Sequence, residues 1–302
     1  MGPNGSGKTT LLLTLALLNS PSAGSIRLEG EPVSSRSLLR LRRQMAVVFQ
    51  EPLLLDTSVA ENVGMGLKLR GIAAAERARR VSAWLDHFGI AHLANRSARS
   101  LSGGEAQRAS LARAMALDPR ILLLDEPFGD LDAPTREALI VELGGLLRET
   151  NTTTVLVTHD QHEVLRLADR VAVMQSGRIL QVGTPEEVFN QPVSEEVATF
   201  LGVETILGGR VVEQREGLAS IEVAPGRVVE AVSELPVGTP VLVMLRPEDV
   251  TILAESRNLP AYAGTSARNR FAGRIARTVP AGPLVKVTVD CPDASAPRNG
   301  PR

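Results

Sequence analysis

The chain has 302 residues, of which 43% are hydrophobic and 22% charged, with a formal net charge of −1. That is the composition of a globular protein long enough for more than one domain, and it carries no electrostatic footprint for nucleic acid. The single cysteine, Cys291, excludes an intrachain disulfide and fits a reducing compartment, and no apolar run approaches the roughly 20 residues that a bilayer-spanning helix needs.

In chain order, Met1 leads straight into a glycine-rich loop and not into a signal peptide, so any membrane role is expected from the cytoplasmic side, through a partner. A helix is predicted over 8–18 and a buried strand over 46–49. Helices follow over 76–88 and 105–117, the second closed by Asp118-Pro119, because proline cannot continue a helix. Then come a strand over 121–124, a helix over 134–149, a strand over 154–157, a helix over 161–167 and a strand over 171–174. This alternation predicts an α/β fold with a mostly parallel sheet covered by helices on both faces. From about Gly202 the pattern changes to short runs at 210–213, 219–223, 228–231, 241–245, 273–278 and 284–289, punctuated by Gly and Pro. They predict one or two small β-barrels. The tail from Pro292 is rich in Pro, Ala and Arg and is expected to be disordered. The expected division is therefore residues 1–201, 202–291 and 292–302.

Gly2-Pro3-Asn4-Gly5-Ser6-Gly7-Lys8-Thr9, followed by Thr10, fits G-x-x-x-x-G-K-[ST]. Glycines let the backbone curl so that its N–H groups face phosphates, and the following helix adds its positive N-terminal end. Lys8 can reach the β- and γ-phosphates of ATP, and the Thr9 hydroxyl can ligate Mg²⁺. The apolar run 121–124 ends in Asp125-Glu126, at the strand end where parallel sheets place ligands. Asp125 is suited to hold magnesium, directly or through water, and Glu126 to act as general base toward the attacking water. The run 154–157 also ends in a polar pair, Thr158-His159, which puts His159 at the same expected edge and within reach of a γ-phosphate.

With these motifs, the first two-thirds of the chain resembles the nucleotide-binding subunit of an ABC transporter. Gln50 matches that family's Q-loop, Leu101-Ser102-Gly103-Gly104-Glu105 its signature sequence, Phe128-Gly129-Asp130-Leu131-Asp132 its D-loop and His159 its switch histidine. The resemblance implies a P-loop NTPase core with a helical subdomain, and an ATPase that uses ATP and Mg²⁺. It implies that Ser102, Gly103 and Gly104, with Asp132, serve ATP held by a second copy of the chain in a head-to-tail pair. Gln50 would contact the magnesium or the attacking water, and would begin a loop over 51–63 facing transmembrane permease subunits. Those subunits would receive their cargo from an extracellular or periplasmic binding protein, which places this chain peripherally on the cytoplasmic face of the membrane.

The β-rich part narrows the resemblance. Arg246-Pro247-Glu248-Asp249-Val250 resembles a piece of the accessory barrels of importer ATPases. Ser266-Ala267-Arg268-Asn269, followed by Gly273 and 284–289, resembles the start of small oxyanion-binding barrels of the molybdate type, and 202–206 and 210–212 look like the tungstate and molybdate branch. Ser266, Arg268, Asn269 and Lys286 would then offer donors to a tetrahedral dianion, in a regulatory site. The bland alternative is that Ser-Ala-Arg-Asn is a turn into a strand. At its ends the sequence departs from the family pattern, lacking the strand before the P-loop and the aromatic that stacks on adenine, and stopping after a second barrel strand near Cys291. It reads as a piece of a longer protein, OB-like and incomplete in its β region. Three other readings stay open: a sugar, polyamine, iron or sulfate importer, a soluble ABC ATPase of repair or translation, and a non-catalytic fragment.

Overall fold

The computed structural model describes residues 1–253, 268–282 and 284–291. The chain divides into two compact units, Met1–Val193 and Ser194–Arg302. In the first unit the elements are α1 (Lys8–Leu15), β1 (Arg27–Leu28), β2 (Glu31–Pro32), α2 (Leu38–Arg42), β3 (Met45–Val48), α3 (Val59–Leu69), α4 (Ala74–His87), α5 (Gly103–Met115), β4 (Ile121–Asp125), α6 (Ala133–Thr150), β5 (Thr153–Val157), α7 (Gln161–Leu167), β6 (Val171–Gln175), β7 (Arg178–Gly183) and α8 (Pro185–Asn190).

The centre of this unit is a parallel sheet in the order β3-β4-β5. Side chains alternate across a strand, and β4 shows what that does here. Leu122 and Leu124 enter one apolar cluster with Leu67 of α3, Leu85 of α4, Leu111 of α5 and Leu139 of α6. Leu123, between them, enters a second cluster with Leu12 of α1 and Met45 of β3. The sheet is thus covered on both faces, as its unbroken leucine run requires. Burying each such leucine contributes about 1.5–3 kcal/mol.

This sheet is parallel throughout, as expected, but among the described residues the expected strand over 171–174 does not join it. The run 171–174 is β6, and it pairs antiparallel with β7 through Ser176-Gly177. Both turn residues have positive φ, 48° and 76°, the twist that a tight two-residue hairpin needs. The helix expected over 8–18 ends at Leu15. Leu17 takes φ 61°, and the N–H groups of Leu18 and Asn19 both turn back to Leu13 O. The loop expected over 51–63 ends at Ser58, which caps α3: its side chain accepts from Glu61 N while the Glu61 carboxylate takes the Ser58 N–H.

The second unit holds α9 (Glu195–Phe200), β8 (Thr205–Arg215), β9 (Leu218–Ala224), β10 (Arg227–Val232), β11 (Pro240–Leu245), β12 (Arg274–Ala281) and β13 (Leu284–Asp290). Strands β10-β9-β8-β11 form one antiparallel sheet and β12-β13 a separate hairpin, so among the described residues the sheet keeps two edges, β10 and β11. Val211, Ala219, Ile221, Val229 and Val243 make its small core.

Candidate nucleotide site

The P-loop is built on the β6–β7 hairpin. Met1 lies along β6, its ammonium donating to Ala172 O at 2.8 Å while Met174 N donates to Met1 O at 2.8 Å. Further on, Gly177 N donates to Ser6 O at 2.9 Å, so the hairpin turn holds the far side of the loop. Gly5 and Gly7 take φ 78° and 96°, which fold the loop back onto the start of α1. The Ser6 hydroxyl is buried and makes no hydrogen bond, and Asn4, Gly5, Thr9 and Thr10 are exposed. An unpaired buried hydroxyl beside exposed N–H groups at a helix start suits a phosphate.

The strand ends supply the rest. In the sheet register Asp125 stands opposite Val157, so the pairs Asp125-Glu126 and Thr158-His159 leave one edge together. Glu126 N donates to Val157 O at 2.9 Å, and Glu126 adopts φ 44°, which turns its side chain out of the strand. Its carboxylate reaches Lys8 Nζ at 3.8 Å through Oε1 and His159 Nδ1 at 3.3 Å through Oε2. Lys8 is 7% exposed and also donates to Pro3 O at 3.0 Å. Thr9 Oγ1 donates to Asp125 Oδ1 at 3.1 Å. Burial pushes the Asp125 carboxyl above its usual range; the Thr9 bond opposes this, the Glu126 charge adds to it and Lys8 opposes it. Thr9 and Asp125 therefore present two hard oxygen donors side by side. Among the described residues no cluster of three or more His, Cys, Asp or Glu could hold a metal ion.

Gln50 follows β3, which pairs in register with β4, so it leaves the sheet at the same edge. It is exposed, and its Nε2 lies 3.5 Å from where a Cβ on Gly129 would stand. No hydrogen bond joins it to Thr9 or Asp125 among the described residues. Ser102 caps α5: its hydroxyl accepts from Glu105 N, and the Glu105 carboxylate takes the Ser102 N–H at 2.7 Å and its O–H at 2.9 Å. Ser102 and Gly103 are exposed, and no hydrogen bond or ion pair joins residues 102–104 to the P-loop of the same chain among the described residues. Gly104 is needed for a close approach, since a Cβ there would stand 2.9 Å from Thr135 Cγ2 in the first turn of α6. Asp132 caps α6, accepting from Thr135 N at 3.0 Å, and that bond holds its carboxyl below the usual range.

Sequence reasoning passed over Arg136. From α6 it donates to Phe128 O at 3.2 Å and Leu131 O at 3.0 Å and lies 3.7 Å from Asp160, so it ties the turn before α6 to the segment after His159. Its partners are mostly carbonyls, which leave no trace in a sequence; the only hint was its place one turn beyond Asp132.

In the second unit, Asn269 spends both ends of its amide on Glu230, accepting from its N–H at 2.8 Å and donating to its C=O at 2.8 Å. Arg268 lies 3.6 Å from the Glu230 carboxylate, and Lys286 bonds Glu204. Arg268 and Asn269 thus meet at one edge of β10, while Lys286 is held by another acid. Ser266 lies outside the described residues.

The family model for ABC transporter matches residues 1–129. The molybdate/tungstate import ATP-binding protein of Pyrococcus horikoshii is 41% identical over 297 residues, covering 96% of this chain and 80% of that protein. The chain belongs to the ABC transporter family. The sulfate/thiosulfate import ATP-binding protein of Brucella melitensis is 44% identical over 278 residues, 90% of this chain and 75% of its own length. A solved structure of cbiO1 from Clostridium perfringens, part of the ABC transporter complex cbiONQ, superposes with a TM-score of 0.59 at 31% identity, covering 68% of this chain and 82% of that one. As a member of the ABC family this chain is an ATPase. Among the described residues, no helix is long and apolar enough to cross a membrane.

Proposed function

We propose that this chain is the ATP-hydrolysing subunit of an ABC importer for molybdate or tungstate. It works as a head-to-tail pair of copies on the cytoplasmic face of the membrane, beneath transmembrane permease subunits fed by an external binding protein. The observation that carries the catalytic part is the convergence of Lys8, Asp125, Glu126 and His159 on one sheet edge. The substrate rests on the likeness to the Pyrococcus protein across 96% of this chain.

On this reading Lys8 leaves Glu126 for the β- and γ-phosphates of the incoming ATP, which frees the Glu126 carboxylate. Thr9 and Asp125 hold Mg²⁺, which supplies neutralisation of the phosphate charge when bound. Glu126 takes a proton from water as the water oxygen bonds to the γ-phosphorus and the bond to the ADP oxygen breaks. His159, with Nδ1 3.3 Å from Glu126 Oε2, fixes that carboxylate and leaves Nε2 to face the γ-phosphate. Gln50 orients the water or the metal. The exposure of Ser102 and Gly103 supports their use on ATP held by the other copy.

The test is ATP turnover of this chain assembled with its permease in vesicles, with binding protein loaded with molybdate, tungstate or sulfate. Stimulation by molybdate or tungstate and not by sulfate is expected. Stimulation by sulfate alone would move the substrate to that of the Brucella relative.

A further inference from the structure

Arg113 stands in the last turn of α5, the helix that begins after Ser102. Its guanidinium is half-buried, and burial lowers its pKa. Among the described residues no carboxylate pairs with it. It spends its fork on two consecutive main-chain carbonyls, with Nη1 donating to Leu53 O at 2.9 Å and Nη2 to Pro52 O at 2.8 Å, and it also reaches Ser110 Oγ at 3.3 Å. Those carbonyls belong to the segment between Gln50 and α3.

A second observation falls on the same segment. Leu53 adopts φ 44°, a conformation that costs an L-residue energy, at a residue that is 58% exposed. The far end of the segment is clamped by Asn62, which binds the N–H and C=O of Leu55. Arg113 is what holds the strained near end.

We propose that Arg113 is a positioning residue that ties α5 to the segment after Gln50, holding Pro52-Leu53 in its left-handed turn so that Gln50 stays aimed at the phosphate edge. This rests on the reading that Gln50 acts on the ATP. The tie makes one mechanical unit of α5, whose start serves the other copy's nucleotide, and the segment that begins at this copy's nucleotide. A guanidinium fork suits the task because two parallel donors fix orientation, which a single ammonium does not.

The experiment compares kcat for ATP and Kd for Mg-ATP in Arg113→Ala, Arg113→Lys, Gln50→Ala and the wild type, with Leu53→Gly added to each Arg113 variant. Expected for Arg113→Ala is a kcat about tenfold lower with Kd within about twofold, since the P-loop is untouched. Arg113→Lys should fall between. Leu53→Gly should restore kcat at least about threefold, because glycine takes positive φ without the steric cost. If Arg113→Ala does not fold by circular dichroism, the Lys variant and its Leu53→Gly partner carry the same comparison. The proposal is overturned if Gln50→Ala lowers kcat while the Arg113 variants keep it within twofold. It is overturned equally if Leu53→Gly restores nothing, which would make Arg113 a stability residue only. An unchanged kcat in Gln50→Ala would instead sink the underlying role of Gln50, and with it the tie's purpose.

Discussion

Glu126→Gln separates the two jobs of the carboxylate, and the structure sets the size of each. As general base Glu126 contributes about 10²–10⁴-fold, or about 3–5 kcal/mol of barrier, and glutamine cannot take the proton. Its second job is static: Oε1 stands 3.8 Å from Lys8 Nζ, with Glu126 17% and Lys8 7% exposed. At that distance the attraction is about 4 kcal/mol for an effective dielectric near 20, most of it offset by the desolvation of both groups. If about a quarter survives, ATP has about 1 kcal/mol less to displace in the variant, and its Kd should tighten about fivefold. Calorimetric titration with Mg-ATP gives the affinity, and single-turnover phosphate release gives the chemistry. Turnover within tenfold of wild type would remove Glu126 as the base. A Kd weakened more than tenfold would show that the carboxylate holds the loop together instead of competing for Lys8.

Three further perturbations probe other links. Asn62 is fully buried, its Oδ1 accepting from Leu55 N and the two hydrogens of its Nδ2 shared among Leu55 O, Thr57 Oγ1 and Ser58 O, so Asn62→Ala should destabilise the first unit by about 2–4 kcal/mol in denaturant unfolding; a loss below 1 kcal/mol would refute this accounting. Glu163 is buried with one oxygen unpaired, and burial raises its carboxyl, against the Thr158 bond, with the Asp160 charge adding to it and Arg136 and His159 opposing it. The native state then holds a proton that the unfolded chain has released, so stability falls as pH rises through the raised native pKa. Glu163→Gln should match wild type in melting temperature below the ordinary carboxylate range and exceed it increasingly as pH rises from there to the raised native pKa, and a pH-independent difference would count against burial as the cause. Ser102→Arg should leave Mg-ATP binding to one copy intact yet stop ATP-driven pairing, read by light scattering in a Glu126→Gln background; unchanged pairing would refute the head-to-tail arrangement.

The candidate nucleotide site was legible because its chemistry sits at the ends of strands. An apolar run that stops in Asp-Glu, and another that stops in Thr-His, need only a shared register to meet, and the pairing of Asp125 with Val157 provides it. Other features carried a signal that went unread. Ser58 and Glu61 have capping-box spacing and mark the start of α3, and Ser176-Gly177 between apolar runs marks the β6–β7 hairpin. The end of α1 carried almost none, because Leu15, Leu17 and Leu18 continue the apolar pattern and the chain leaves the helix before any proline. The oxyanion reading shows a different limit. Arg268, Asn269 and Lys286 were chosen by residue type, but two of their partners, Glu230 for Asn269 and Glu204 for Lys286, stand 39 and 82 residues away in the chain. Distant partners of this kind are fixed by the tertiary fold, and residue type alone cannot name them.

The caps at Ser58, Ser102 and Thr184 show why, of three copies of a common local device, one suits half of the proposed site. All three have the same reciprocal pairing with a glutamate three residues on. At Ser58 the next residue is Val59, which is buried, and at Thr184 it is Pro185, which has no N–H to offer. At Ser102 the next two are glycines; Ser102 and Gly103 are exposed, and nothing would meet a Cβ on Gly103. Only there does the helix start keep N–H groups within reach of a large anion. Yet Glu105 already takes the Ser102 N–H and hydroxyl, and its own Ser102 bonds hold its carboxyl below the usual range, which favours the charged form. A phosphate arriving at this helix must therefore meet the dipole and the glycine N–H groups against one fixed negative charge. On the proposed reading that opposition keeps the two copies apart until a Mg²⁺-neutralised γ-phosphate is present, and lets them separate once it is cleaved.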